Sequence, residues 1–274
     1  MANGSFPSHF DGSISFGPQE QLRGYFGRDV LKGLVSGIDD FLAVGQRYGS
    51  RSLGPALLGG FMWLDDQELL DRISAFPAAC VVITKQQRGK YQQARIDKLK
   101  LLAEQGPGFP ARALPELADM YFREDGQPPV VGPGSHLPSP RIPTLRTIGY
   151  RKAGNELVPI LHTKMVLLGE LWWHDEDPLG GAADVIGFRP QRLWLGSANG
   201  TTSSRSNLEF GLWLDDTALL REAKRFLAEV IRHSEILDPD SSHFEPELTE
   251  PNYDDDAFAE YLGRRFRDEG ESPC

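Results

Sequence analysis

Apolar residues recur at spacings of three and four through Leu22, Phe26, Val30, Leu31, Leu34 and Val35. This predicts helical character over residues 20–47, weakened by several glycines. The pattern then changes period. "PALLGGFMW" reads as a short strand, "LDDQELLDRI" as a helix that Asp65 or Asp66 can cap, and "AACVVITK" as a buried strand. In "YQQARIDKLKLLAEQG" the spacing predicts an amphipathic helix with Ala94, Leu99, Leu102 and Ala103 turned inward and Gly106 at its end.

Pro and Gly crowd residues 126–143 and predict a long surface loop. Beyond it, "TLRTIGY", "LVPILHTKMVLLGELWW", "RLWLGS" and "LEFGLWLDD" are strand-like, and "TALLREAKRFLAEVIRHS" is a helix. Strands alternating with helices predict an α/β fold, a mixed, mostly parallel sheet flanked by helices.

Composition changes this picture little. With 274 residues, 40% hydrophobic and 25% charged, the chain suits a globular fold. Its polar, glycine-rich start predicts neither export nor anchoring, and no apolar run reaches spanning length. The two cysteines form no disulfide or zinc pattern, so a reducing cytoplasm is the expected setting. Charge is more informative. The net charge of −10 argues against an anionic partner, but it is concentrated in residues 235–274, leaving the remainder neutral. That acidic tail reads as solvated, with a terminal helix at "DAFAEYLGRRFRDEG".

The candidate chemistry lies in the later strands. Residues two apart in a strand share a face, so His162 and Lys164 project side by side. Such a pair suits phosphate, because an ammonium neutralises an oxygen while an imidazole attacks phosphorus or protonates a leaving group. Ser197 and Asn199, in "GSAN", add uncharged donors, and Gly196 permits close approach of the backbone. Glu209 is placed to accept a hydrogen bond from His162 and fix its tautomer. No metal site is assigned: the run from His174 to Asp177 packs its acids consecutively in an acidic, glycine-rich tip.

Taken together, "HTK", "GSANGT" and "NLEFGLWLDD" resemble the phospholipase D superfamily, with its signature H-x-K-x4-D-x6-G-S-x-N and a following acidic strand. The resemblance spans about residues 55–234, the phospholipase D-like domain, preceded by a helical segment (1–54) and followed by the acidic tail (235–274). Two departures stand out. The position of the motif aspartate is Gly169, with Glu170 beside it on the opposite face. An insertion of about 20 residues separates Lys164 from the Gly-Ser motif, which an extended hairpin accommodates.

The resemblance implies a phosphodiesterase needing no cofactor, with His162 as nucleophile and general acid, Lys164, Ser197 and Asn199 holding phosphate, and Glu209 orienting His162. Members use two such motifs, and none of the other histidines here is followed by lysine at two. The implied assembly is a homodimer, as in single-motif Nuc-type endonucleases. Lys85, Arg88 and Lys90, with Tyr91 for stacking, are the candidate contacts to DNA or RNA. A membrane partner is not expected. The alternatives are an inactive nucleic-acid-binding or scaffold subunit with partner proteins in a phage-defence complex, and a phospholipid-acting hydrolase or transferase.

Overall fold

The computed structural model describes residues 12–16, 22–44, 49–85, 93–124, 126–134, 139–149, 159–175, 184–238 and 245–270. The first half of the chain forms β1 (Gly12–Phe16), β2 (Leu22–Gly27), α1 (Val30–Ala43), β3 (Ser52–Phe61), α2 (Gln67–Ser74), β4 (Ala78–Thr84) and α3 (Gln93–Gln105). Short strands follow: β5 (Phe109–Pro110), β6 (Tyr121–Phe122), β7 (Val130–Val131), β8 (Arg141–Ile142) and β9 (Leu145–Ile148). The second half carries β10 (Lys164–Asp175), β11 (Asp184–Gly196), β12 (Glu209–Leu214), α4 (Thr217–Arg232), β13 (Glu235–Ile236), β14 (Leu248–Thr249), β15 (Asn252–Tyr253) and α5 (Asp255–Gly270).

One large mixed sheet, ordered β1-β2-β12-β11-β10-β3-β4-β9-β13, runs between two helical layers. Within this sheet, among the described residues, β3–β4 and β4–β9 are the parallel pairs, so it is mostly antiparallel, contrary to expectation. The reason is topological. Parallel pairing needs a crossover, and helices α2 and α3 supply crossovers only around β3, β4 and β9. The insertion forms the expected hairpin, with β10 and β11 paired from Met165–Leu195 to Asp175–Asp184.

Each sheet face builds a core. Leu57, Val81, Ile83, Val166, Leu168, Trp194 and Trp213 meet α1, α2 and α3 on one side. On the other, Leu58, Cys80, Val82, Leu167 and Leu193 meet α4 and the turns at 111–117. Helix α1 sits close to the sheet at Gly37, where a Cβ would lie 2.4 Å from the Trp213 ring. The Trp213 Nε1–H donates to the Gly33 carbonyl at 3.0 Å, which locks that contact. Helices α2 and α4 begin as their sequences suggest: Asp66 accepts from the Leu69 amide at 3.1 Å and Asp216 from the Leu219 amide at 2.8 Å. In α3 the inward face is Ile96, Leu99 and Leu102, with Ala94 exposed.

Two expectations about the termini need correction. Residues 22–27 are a strand, not the start of a helix. Tyr25 and Phe26 favour the pleated sheet, Gly24 and Gly27 disfavour a helix, and the register with β12 runs Glu209–Gly27 to Trp213–Arg23. The acidic tail is not simply solvated. Glu235 and Ile236 join the sheet, Leu248 is buried, and Glu247 pairs at 3.3 Å with Arg146, a fully buried arginine also held by Ser234. A terminal helix, α5, is present, with Tyr261, Leu262 and Phe266 exposed. Among the described residues no helix is long and apolar enough to cross a membrane.

Candidate active site

Several interior strands of the sheet end at one place. Lys164, the first residue of β10, pairs with Phe61, the last of β3, while Gly196 at the end of β11 pairs with Gly211, and Glu209 at the start of β12 pairs with Gly27. The segment leading into β10 is pinned where the Thr84 hydroxyl donates to the Leu161 carbonyl at 2.8 Å. His162 lies just outside the strand and is exposed.

The histidine and lysine still come together. Lys164 Nζ lies 3.2 Å from Nε2 and 3.4 Å from Nδ1 of His162, over the ring, and donates to the His162 carbonyl at 3.4 Å. Lys164 is only 9% exposed. Burial pushes its ammonium below the ordinary lysine value, and the negative charge of Glu209 opposes that shift.

Glu209 is held differently from expectation. The Ser197 hydroxyl donates to one carboxylate oxygen at 2.5 Å, and the Asn207 amide donates to the other at 3.4 Å. In return the Phe210 amide donates to Ser197 Oγ at 2.9 Å, and the Ser197 amide donates to the Phe210 carbonyl at 3.0 Å. Glu209 therefore orients Ser197 directly and acts on Lys164 through its charge. Asn199 Oδ1 is buried without a hydrogen-bond partner.

The loop from Ser197 to Asn207 is clamped by residues the motif does not include. The Gly200 carbonyl accepts from the amides of Asp65 and Asp66 at 2.8 and 3.0 Å, and the Thr202 amide donates to Asp65 at 2.9 Å. Arg205 grips Asp66 through two hydrogen bonds of 2.7 Å and reaches Asp29 and Glu68 at 2.8 Å each. Its guanidinium holds the Asp66 carboxyl below the usual value despite burial. Asp29 has φ 51°, unusual for a residue with a side chain, and its amide donates to the Arg205 carbonyl at 2.9 Å. The signals were present in sequence: a single arginine within "GTTSSRSNLEF" and a second acid beside the helix cap.

Of the candidate substrate contacts only Lys85 falls among the described residues. Lys85 is buried in an ion pair with Glu235, their side chains 4% and 7% exposed, so it presents no cation at the surface. Arg88, Lys90 and Tyr91 lie outside the described residues, as do the side chains from His174 to Asp177. Arg95 pairs with Asp65. At the place of the motif aspartate, a Cβ on Gly169 would fall 2.3 Å from the Arg189 carbonyl and 2.5 Å from the Phe188 ring, beside a register shift in the β10–β11 pair. Glu170 is buried and accepts from the Ser52 hydroxyl. Among the described residues no three His, Cys, Asp or Glu side chains converge as metal ligands.

Neither a family model nor a curated protein matches the chain. Among solved structures it is similar to NucT from Helicobacter pylori, at 13% identity and TM-score 0.42, over 79% of this chain and 99% of that one. It is also similar to Nuc from Salmonella typhimurium, described as a phospholipase D family member, at 12% identity and TM-score 0.39, over 76% of this chain and 93% of that one.

Proposed function

We propose that the protein is a phospholipase D-like phosphodiesterase that cleaves nucleic acid, an endonuclease working without a metal. The observation that supports this reading is the Lys164 ammonium lying against the His162 imidazole, within electrostatic reach of Glu209, which Ser197 holds. An exposed imidazole is accessible to an in-line phosphorus, and the buried ammonium beside it meets the charge that develops on the phosphoryl oxygens. Asn199 contributes a further polar group on a clamped loop.

In the first half-reaction His162 attacks phosphorus, the P–N bond forms, the P–O bond to the leaving group breaks, and a second His162 delivers a proton to the departing oxygen. In the second half-reaction that histidine takes a proton from water as water attacks phosphorus, and the P–N bond breaks. The second imidazole comes from another copy of the chain, since His162 is the chain's single H-x-K histidine.

The test combines activity with mass. Purified protein is incubated with labelled DNA, RNA and phospholipid vesicles in excess EDTA, and its mass is measured by sedimentation equilibrium. Cleavage of nucleic acid by a dimer, with a loss of at least about a thousandfold in His162→Ala, is the expected result. Strict Mg²⁺ dependence, full activity in a monomer, cleavage of phospholipid alone, or binding of nucleic acid without turnover would each overturn it.

A further inference from the structure

An exposed tryptophan stands in the segment that ties the two halves of the site together. Phe61 pairs with Lys164, and Leu64 bridges to Gly200, next to Asn199. Both Phe61 and Leu64 are fully buried. Between them Trp63 turns outward, 42% exposed. Its position is set by rigid neighbours. The amides of Asp65 and Asp66 hold the Gly200 carbonyl, and a Cβ on Gly200 would lie 2.7 Å from Leu64, so the segment packs tightly on the loop that carries Ser197 and Asn199. Ile160, two residues before His162, and Leu208, one before Glu209, are exposed as well.

A single exposed aromatic residue is ordinary on a protein surface. Trp63 differs in being anchored one residue from a contact to the site loop, and in the charge around it. Arg205 is occupied by Asp66, Asp29 and Glu68, and Arg95 by Asp65, so these two cations of the described rim are already paired with acids. An aromatic face takes any unstacked base, and a fixed one requires little ordering on binding.

We infer that Trp63 is a base-stacking platform beside the reacting phosphate, and that the substrate is an unpaired nucleic-acid strand. The inference rests on the phosphodiester-cleaving reading above and adds to it a base subsite. Inside a duplex the base faces are covered by their neighbours, so the platform selects single strands, loops or ends.

The test compares an oligonucleotide with bis-p-nitrophenyl phosphate, which shares the diester and has no base. In Trp63→Ala the ratio of kcat/KM for a single-stranded oligonucleotide to that for bis-p-nitrophenyl phosphate should fall by about tenfold or more, and Trp63→Phe should restore most of it. Abasic sites in the oligonucleotide should erase the difference between parent and Trp63→Ala. Binding is followed separately, by fluorescence anisotropy of a labelled oligothymidylate on His162→Ala protein with and without Trp63→Ala, so that stacking is measured without turnover. Equal losses on both substrates, preference for duplex, unchanged oligothymidylate binding, or a changed sedimentation mass in Trp63→Ala would overturn the inference; the last would assign Trp63 to a contact between copies. Cleavage of bis-p-nitrophenyl phosphate without a base effect removes the platform and leaves the diesterase reading standing. Failure to cleave either substrate removes that reading instead.

Discussion

Two lysines at the same end of the sheet's strands have opposite fates. Lys85 follows β4 and Lys164 begins β10, and both are buried. Lys85 meets Glu235 in a closed ion pair whose carboxylate also accepts from the Glu245 amide at 2.9 Å. Lys164 meets an imidazole and a carbonyl, with its nearest compensating carboxylate, Glu209, engaged by Ser197 and Asn207. The difference separates structure from chemistry: a cation fully matched inside the fold has nothing left for an anion, whereas one buried beside an imidazole, with no carboxylate hydrogen-bonded to it among the described residues, retains attraction for a phosphate.

Alanine at each position sharpens that contrast. Lys164→Ala should lower turnover by about a hundredfold to a thousandfold, as expected when one stabilising group facing developing charge is removed, with folding retained. Lys85→Ala should instead leave Glu235 buried and unpaired and lose about 3–5 kcal/mol of stability, measured by denaturant unfolding, with activity per folded molecule preserved. If Lys85→Ala lost activity while unfolding like the parent, the two lysines would not differ in the way proposed.

The same contrast exists within β10. Near Lys164, β10 is open to the site; at Gly169 it is closed by Arg189 and Phe188. Gly169→Asp, which restores the acid of the phospholipase D signature, should therefore destabilise the protein by about 1–3 kcal/mol through overpacking, with no gain in turnover. A rise in activity at unchanged thermal stability would show instead that the chain merely lacks the motif acid.

The parts of this molecule legible in its sequence are those built from neighbours in the chain. The Asp66 cap, the buried runs of β3 and β4, the long hairpin and the adjacency of His162 to Lys164 all depend on short spacings. Partners distant in sequence were not legible. Lys85 has the spacing of a surface cation until Glu235 arrives from the other side of β9, and Arg205 looks like loop polarity until Asp66 and Asp29 close on it. Residues 22–27 carry helix-like spacing, and pairing with β1 and β12 makes them a strand. The same holds for Glu209, whose partner became Ser197 because β11 and β12 are adjacent and in register, so that the Ser197 amide donates to the Phe210 carbonyl and the Phe210 amide to the Ser197 hydroxyl.

The smallest predicted effect comes from the energetic position of Lys164 itself. Its folded-state value lies below that of the unfolded chain because burial penalises the ammonium more than Glu209 supports it. Between those two values the unfolded chain binds more protons, so the parent gains stability as pH rises through that interval and carries its full burden below it. Lys164→Met keeps the apolar stem and removes the charge. It should raise Tm at neutral pH by about 2 °C, with cleavage lost, and the gain should shrink in alkaline solution as the parent's ammonium deprotonates. Scanning calorimetry of both proteins across pH decides the point. A lower Tm for Lys164→Met at neutral pH would mean that the attraction of Glu209 outweighs desolvation, and that Lys164, like Lys85, serves the fold.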